Sequence, residues 1–320
     1  MAGSRQQAET SGTQHVWLRA WVLAGLVAGS VACGKSPDQG VDAARAAMAE
    51  KDYATAVVEL KNVLQESPDN REARVLLARS SLVLGDAPTA EKELERAYEL
   101  GADPAAQRAL HYRIQLALGR AEEVSISLEQ DGGADGLTPA EAATFKGEAL
   151  LGLRRFKSAE SSFRRALDAD PGYGEARVGL AQALLAQNRR DEAGVLLDET
   201  IAPHPELPGG WLLRGRVKVQ AGELEAARDD LQEAVAAARA LPDRNREFVT
   251  LASLAETQLG LNDIAGAEES VKALKRIAGG APTTRKIAAR LHFAKKQYPE
   301  ARAQLQSVLN VNPDDAAALF

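Results

Sequence analysis

A small residue recurs along this chain at a spacing of mostly 34 residues: Ala56, Ala90, Val124, Ala159, Ala193, Ala227, Ala267 and Ala301. Four residues after each stands a larger apolar side chain, in order Leu60, Leu94, Leu128, Phe163, Leu197, Leu231, Val271 and Leu305. Three further on most units carry a small or aliphatic residue, such as Val63, Ala97, Ala166 or Val308. Offsets of four and seven fall on one helical face, so each unit holds an amphipathic helix with one stripe to bury. A unit this short cannot enclose a core of its own and must bury its stripe against its neighbours, which constrains the chain to a linear stack. Composition agrees: 45% of the 320 residues are hydrophobic but only 4% aromatic, enough alanine and leucine for helices and little bulk for one deep core.

Each unit has room for a second helix before the stripe. In that place Trp211 and Gly215 stand in one unit, Leu180 and Ala181 in another, and Gly147 in a third, while Pro68, Pro171, Pro205 and Pro313 close four units. This pattern resembles the tetratricopeptide repeat family, a helix-turn-helix unit with small residues at the helix crossing and often a final proline. The resemblance implies an all-α, right-handed superhelical solenoid with repeats at 37–70, 71–104, 105–139, 140–173, 174–207, 208–247, 248–281 and 282–315, and a ninth begun over 316–320. The fit loosens in 105–139, where His111 and Tyr112 replace a leucine and a small residue, and in 208–247 and 248–281, where the spacing from Ala227 to Ala267 widens to 40. Residues 131–136 and 241–246 carry the Gly, Asp and Pro signals of lengthened connections. A ninth unit left open after Leu319 and Phe320 leads us to expect a longer parent protein or a partner over that end.

The first 32 residues have the order of a secretory signal: a polar segment with Arg5 and Arg19, an apolar run over 20–32, then small residues. Thirteen apolar residues fall short of the roughly 20 that a membrane-spanning helix needs. Ser30, Val31, Ala32 and Cys33 resemble a bacterial lipoprotein box, with Ser30 where leucine is usual; the resemblance implies lipidation of Cys33, the only cysteine, with 33–36 as linker. Gly34 in place of the aspartate of inner-membrane retention implies an outer-membrane address. Gly29 to Ser36 also spell G-x-x-x-x-G-K-S, a phosphate-binding loop pattern. That chemistry needs a buried strand before the loop and a helix after it, whereas here a signal precedes it, which makes nucleotide binding a remote alternative.

Little else carries chemistry. His15, His111, His204 and His292 are scattered without metal-ligand spacing, and acid pairs such as Glu122 with Glu123 or Asp229 with Asp230 read as solvated helix faces. We therefore expect no metal, no cofactor and no enzyme. The ninth residue of each repeat, turned toward the concave face in this family, is Arg45, Arg79, Arg113, Glu148, Gln182, Arg216, Glu256 and Arg290. Three residues on come Met48, Leu82, Leu116, Leu151, Leu185, Val219, Leu259 and Phe293. Arginine beside an aliphatic row suits an extended peptide with acidic groups. We take Arg45, Arg79, Arg113, Arg216 and Arg290 with Leu82, Leu116 and Leu185 as the candidate groove. The competing reading has the arginines paired with acids of neighbouring repeats and the aliphatic row in the interrepeat core. A net charge of −6 and export disfavour nucleic acid.

Cys33 to Pro37, Lys51 to Ala56, Glu59 to Leu64, Pro68 to Asn70, Ala90 to Leu94 and Gly101 to Pro104 are similar to the N-terminal part of the PEP-CTERM-system TPR-repeat lipoproteins, over roughly residues 33 to 130. That resemblance implies a scaffold held to the outer membrane by its N-terminal lipid. Facing the periplasm of a Gram-negative bacterium, it would act with protein partners in envelope sorting or with exopolysaccharide export machinery. A pilotin or outer-membrane assembly lipoprotein uses a similar anchor and array and is the alternative.

Overall fold

A computed structural model of the chain describes residues 36–130, 132–241 and 243–319. Among them are seventeen α-helices and no strand. The first half comprises α1 (Pro37–Ala49), α2 (Tyr53–Glu66), α3 (Arg71–Val83), α4 (Ala87–Glu99), α5 (Arg108–Ala117), α6 (Ala121–Ser127), α7 (Pro139–Gly152) and α8 (Phe156–Ala169). The second comprises α9 (Gly174–Ala186), α10 (Arg190–Ile201), α11 (Pro208–Ala221), α12 (Leu224–Ala240), α13 (Arg244–Gly260), α14 (Ile264–Ala278), α15 (Pro282–Ala294), α16 (Tyr298–Leu309) and the single turn α17 (Ala316–Leu319). Successive helices pack in pairs, and each pair stacks on the next, giving an all-α solenoid. Odd-numbered helices also touch one another along most of the stack, α1 on α3 and, from α5 to α15, each on the next, and so form a wall. No described helix is long and apolar enough to cross a membrane.

Local sequence sets the helix ends. Asp52, Asp86 and Asp263 each accept a hydrogen bond from a backbone N–H three residues on, at 3.0, 3.1 and 3.0 Å, and so start α2, α4 and α14. Ser36 with Gln39 and Thr138 with Glu141 form reciprocal capping boxes at α1 and α7. Ser36, the last letter of the phosphate-loop pattern, thus caps a helix; the rest of that pattern, the signal segment and Cys33 lie outside the described residues. Between the two helices of every pair from α1/α2 to α15/α16, one residue takes a left-handed backbone: Lys51, Gly85, Gly119, Arg154, Asn188, Gly222, Asn262 and Lys296. The N–H of the next residue returns to a carbonyl five residues back, as from Asp52 to Ala47 at 2.8 Å and from Gln297 to His292 at 2.8 Å. This is the Schellman closure that satisfies the last carbonyls of a helix while reversing the chain.

The recurring small residues sit where the helices cross. Ala56, Ala90, Val124, Ala159, Ala193, Ala227 and Ala267 have no exposed surface, and Leu60, Phe163, Leu197 and Leu231 beside them are equally buried. Phe163 fills the gap left by two glycines of the adjoining first helices: a Cβ on Gly147 would lie 2.6 Å from its ring and one on Gly179 2.3 Å. In the pair α5/α6 the small residue is replaced by Tyr112, which is fully buried. Its hydroxyl donates to the Gly133 carbonyl at 2.6 Å and lies 2.8 Å from Ser127 Oγ, and its ring meets Phe145 edge-on. The seven-residue α6 leaves room for this ring, and the glycine-rich connection folds back over it. At Gly136, with φ of 80°, a Cβ would fall 2.0 Å from the Ala105 carbonyl, so only glycine fits.

The extra residues between Ala227 and Ala267 lengthen helices: α12 and α13 have 17 residues each, more than any other described helix. Their joint thereby reaches the turns within the first two helix pairs. There the Lys51 ammonium donates to the Ala240 carbonyl, and a Cβ on Gly85 would lie 3.5 Å from Asn245 Oδ1.

Candidate peptide-binding groove

The wall of first helices brings the predicted groove residues onto one side but gives them different surroundings. Arg45 pairs with Asp42 at 3.0 Å and with Glu72 of the next first helix. Arg113 approaches Glu175 at 3.8 Å, Arg290 approaches Glu256 at 3.9 Å, and Arg216 donates to Ser253 Oγ at 3.3 Å. Arg79 is exposed and has no ion pair within 4 Å among the described residues. The arginines are solvent-exposed, though Glu175 and Ser253 are partly buried, and such exposed contacts contribute roughly 0 to 1 kcal/mol, leaving the arginines free to exchange partners. Leu82 and Leu116 line the concave cavity described next, whereas Leu185 is partly buried against the packed residues of α9 to α11.

Two adjoining cavities occupy the centre of the groove. One, of about 380 Å³, is bounded by Leu82, Arg113, Leu116, Glu148, Glu175 and Arg246. The other, of about 330 Å³, is mostly apolar, with Leu151, Val178, Leu207, Leu212 and Val249 around Glu148 and Glu175. The α12–α13 joint, through Asn245 and Arg246, walls both. Burial and the nearby Glu175 carboxylate push the Glu148 carboxyl up to about 7, against the opposing pull of Arg113 and Arg246. Tyr173, at the start of α9, is pushed up to about 12 by burial and by Glu175 and Glu141. Glu160 on the second-helix side behaves oppositely: Gln187 and the guanidiniums of Arg189 and Arg164 hold it below the usual carboxylate range despite its burial. Acids that stitch repeats together are thus paired, and Glu148 is not.

A profile of the tetratricopeptide repeat family matches residues 47–114 and 150–217. The matched helices are those whose stacking and Schellman turns are described above. These two stretches are tetratricopeptide repeats. Among solved structures the chain is similar to yeast Tom70, with a TM-score of 0.58 and 14% identity, over 91% of this chain and 63% of that one. It is also similar to YrrB, described as a TPR protein with an unusual peptide-binding site, at a TM-score of 0.44 and 17% identity over 62% of this chain and 97% of the other. PilF of Pseudomonas aeruginosa matches at 0.48 and 16% identity over 78% and 95%. At these identities the likeness to Tom70 concerns the fold alone. No curated protein matches the sequence.

Within the tetratricopeptide-repeat frame, the ninth-position reading reaches Glu148 but not Glu175, Tyr173, Asn245 or Arg246, which complete the cavities. Glu175 and Tyr173 lie at the start of a first helix, about two turns or more from the row used to find the groove. Asn245 and Arg246 enter only because the widened spacing lengthens α12 and α13. That widening was the one available signal, and it shows where regularity breaks without showing the direction in which the joint projects.

Proposed function

We propose that this protein is a noncatalytic tetratricopeptide-repeat scaffold that holds an extended segment of a partner protein along its concave wall. The observation that carries the reading is the wall of first helices, with exposed Arg79 and Arg113 near Leu82 and Leu116, which line a cavity large enough for side chains. Concave walls of this kind are the binding surfaces of repeat solenoids. Arg79 and Arg113 suit acidic groups on the partner. Exchanging Arg45, Arg79 and Arg113 for Glu is expected to weaken partner capture while far-ultraviolet circular dichroism stays unchanged; capture at wild-type strength returns these arginines to a merely solvated role.

We further propose that the scaffold is tethered to the cell envelope, on the outer membrane, by lipid on Cys33. The support is the order of the first 33 residues together with the similarity of roughly residues 33 to 130 to PEP-CTERM-system lipoproteins. Envelope sorting or polymer export is the setting that this similarity favours. Intact mass and membrane fractionation in a Gram-negative host, beside Cys33→Ser, test the tether. Loss of residues 1–32, added acyl mass and membrane sedimentation in the wild type alone are the expected result. An intact N-terminus on a protein that stays with the soluble fraction removes the envelope assignment and leaves the groove reading untouched.

A further inference from the structure

The middle of the concave wall is acidic, although the row of ninth residues is mostly basic. Around the larger cavity stand four carboxylates, Glu141, Glu148, Glu175 and Asp243, against two guanidiniums, Arg113 and Arg246. Each guanidinium has a carboxylate partner within this set, which leaves Glu141 and Glu148 without one in it. Arg246 Nε pairs with Asp243 Oδ2 at 3.0 Å within its own turn, and Arg113 reaches Glu175 only at 3.8 Å. Glu148 has neither an ion pair nor a hydrogen bond to its carboxylate among the described residues, yet it lines both cavities. A carboxylate held among aliphatic walls without a partner lacks a cation or a donor, and a charged donor relieves it most. An acidic ligand residue there adds a further like charge to the cluster.

We infer that the central subsite of the groove, between Glu148 and Glu175, takes the arginine or lysine side chain of a partner peptide, with Leu151, Val178, Leu207 and Leu212 covering the aliphatic residues next to it. The inference rests on the groove reading above and gives that groove a polarity: acidic groups of the partner toward Arg79, a basic one at the centre. Arg246 lines both cavities, its charge already acts on Glu148, and it is the subsite's internal competitor. The peptide's guanidinium or ammonium replaces the distant charge of Arg246 with direct hydrogen bonds to the two carboxylates. Long alkyl stems suit such a site, since arginine and lysine bury their methylenes along apolar walls while the charged head reaches an acid.

The test is an array of random dodecapeptides probed with the labelled full chain, scored by the residues enriched among bound peptides and repeated with Glu148→Gln/Glu175→Gln. A control, Glu199→Gln/Glu233→Gln, removes the same charge from exposed positions on second helices. The expected result is enrichment of one Arg or Lys flanked by aliphatic residues. The best such peptide, measured by anisotropy, should lose about tenfold or more in affinity with the groove double variant and little with the control. Arg246→Ala should tighten it. Its affinity should also rise from about pH 5.5 to about pH 8, as Glu148 ionises in the field of Glu141 on its own helix, Arg113 on α5, Tyr173 and Glu175 at α9, and Asp243 and Arg246 at α13. Bound peptides enriched in acids or lacking any basic preference, or a basic preference that survives the double variant, overturn this inference while the groove reading stands. An array on which nothing binds overturns both.

Discussion

Glu148 is the residue at which fold and function meet. Its carboxyl is raised in the folded chain to about 7 from an ordinary value near 4.5, first by burial and then by Glu175. Below the ordinary value both folded and unfolded chains are protonated and the group costs nothing. As pH rises toward about 7 the unfolded chain ionises first, so stability falls across that window, and the penalty is complete above it. Glu148→Gln is expected to flatten this slope and to be more stable than the wild type near pH 8 by on the order of 1 to 3 kcal/mol, discounted for the water that reaches a partly exposed side chain. Urea unfolding at pH 5 and pH 8 reads both effects; an unchanged slope removes Glu148 as its source. Gly179 offers a contrast in which packing decides. Alanine in a helix gains up to ~1 kcal/mol over glycine, but its Cβ would meet the Phe163 ring at 2.3 Å, and overpacking costs about 1 to 3 kcal/mol. Gly179→Ala should therefore lose on the order of 1 to 2 kcal/mol in urea titration, and less in a Phe163→Leu background.

At the scale of elements, eight turns solve one problem with two kinds of residue. Gly85, Gly119 and Gly222 adopt a left-handed backbone freely, whereas Lys51, Arg154, Asn188, Asn262 and Lys296 hold it against their Cβ. Replacement should accordingly have opposite signs at equivalent places. Arg154→Gly is expected to stabilise by about 0.5 to 1 kcal/mol, and Gly119→Ala, which meets nothing within 4 Å, to destabilise by about 1 kcal/mol from backbone strain alone. Thermal melts of the two variants decide it, and equal shifts would discredit the turn assignment. These turns also mark how far the sequence alone carries. The buried stripe at Ala56, Leu60 and their equivalents was legible because burial imposes residue type at every period. The turns were not, because lysine, arginine and asparagine there look like ordinary surface residues. Tyr112 was visible as an exception, but its reason, a short α6 and a glycine connection folded over its ring, is a matter of three-dimensional fit. The basic row of the proposed groove follows from the repeat register, whereas its centre does not, since Glu148 draws its character from Glu175, a distant Arg113 and a joint some hundred residues away in sequence.

For the whole molecule, stacked pairs make stability a sum of units and interfaces, with no contact spanning the core. Unfolding should depart from a single transition: the calorimetric enthalpy should exceed the van't Hoff value, and amide exchange should be fastest around the thin α5/α6 pair. A single sharp transition with uniform protection would argue that the stack behaves as one block. Contacts of the α12–α13 joint run against this sequential order, among them the Lys51 ammonium on the Ala240 carbonyl. That one joins the first pair to the sixth and holds the α12–α13 joint over the groove. On the groove reading proposed above, a partner segment too long for the central cavities would bind only where that joint parts. Its observed dissociation constant is then the intrinsic one divided by the fraction of parted molecules, and its association slows by the same fraction. On that reading, how tightly a long partner is gripped would be set in part by a lysine and a carbonyl that the partner never touches.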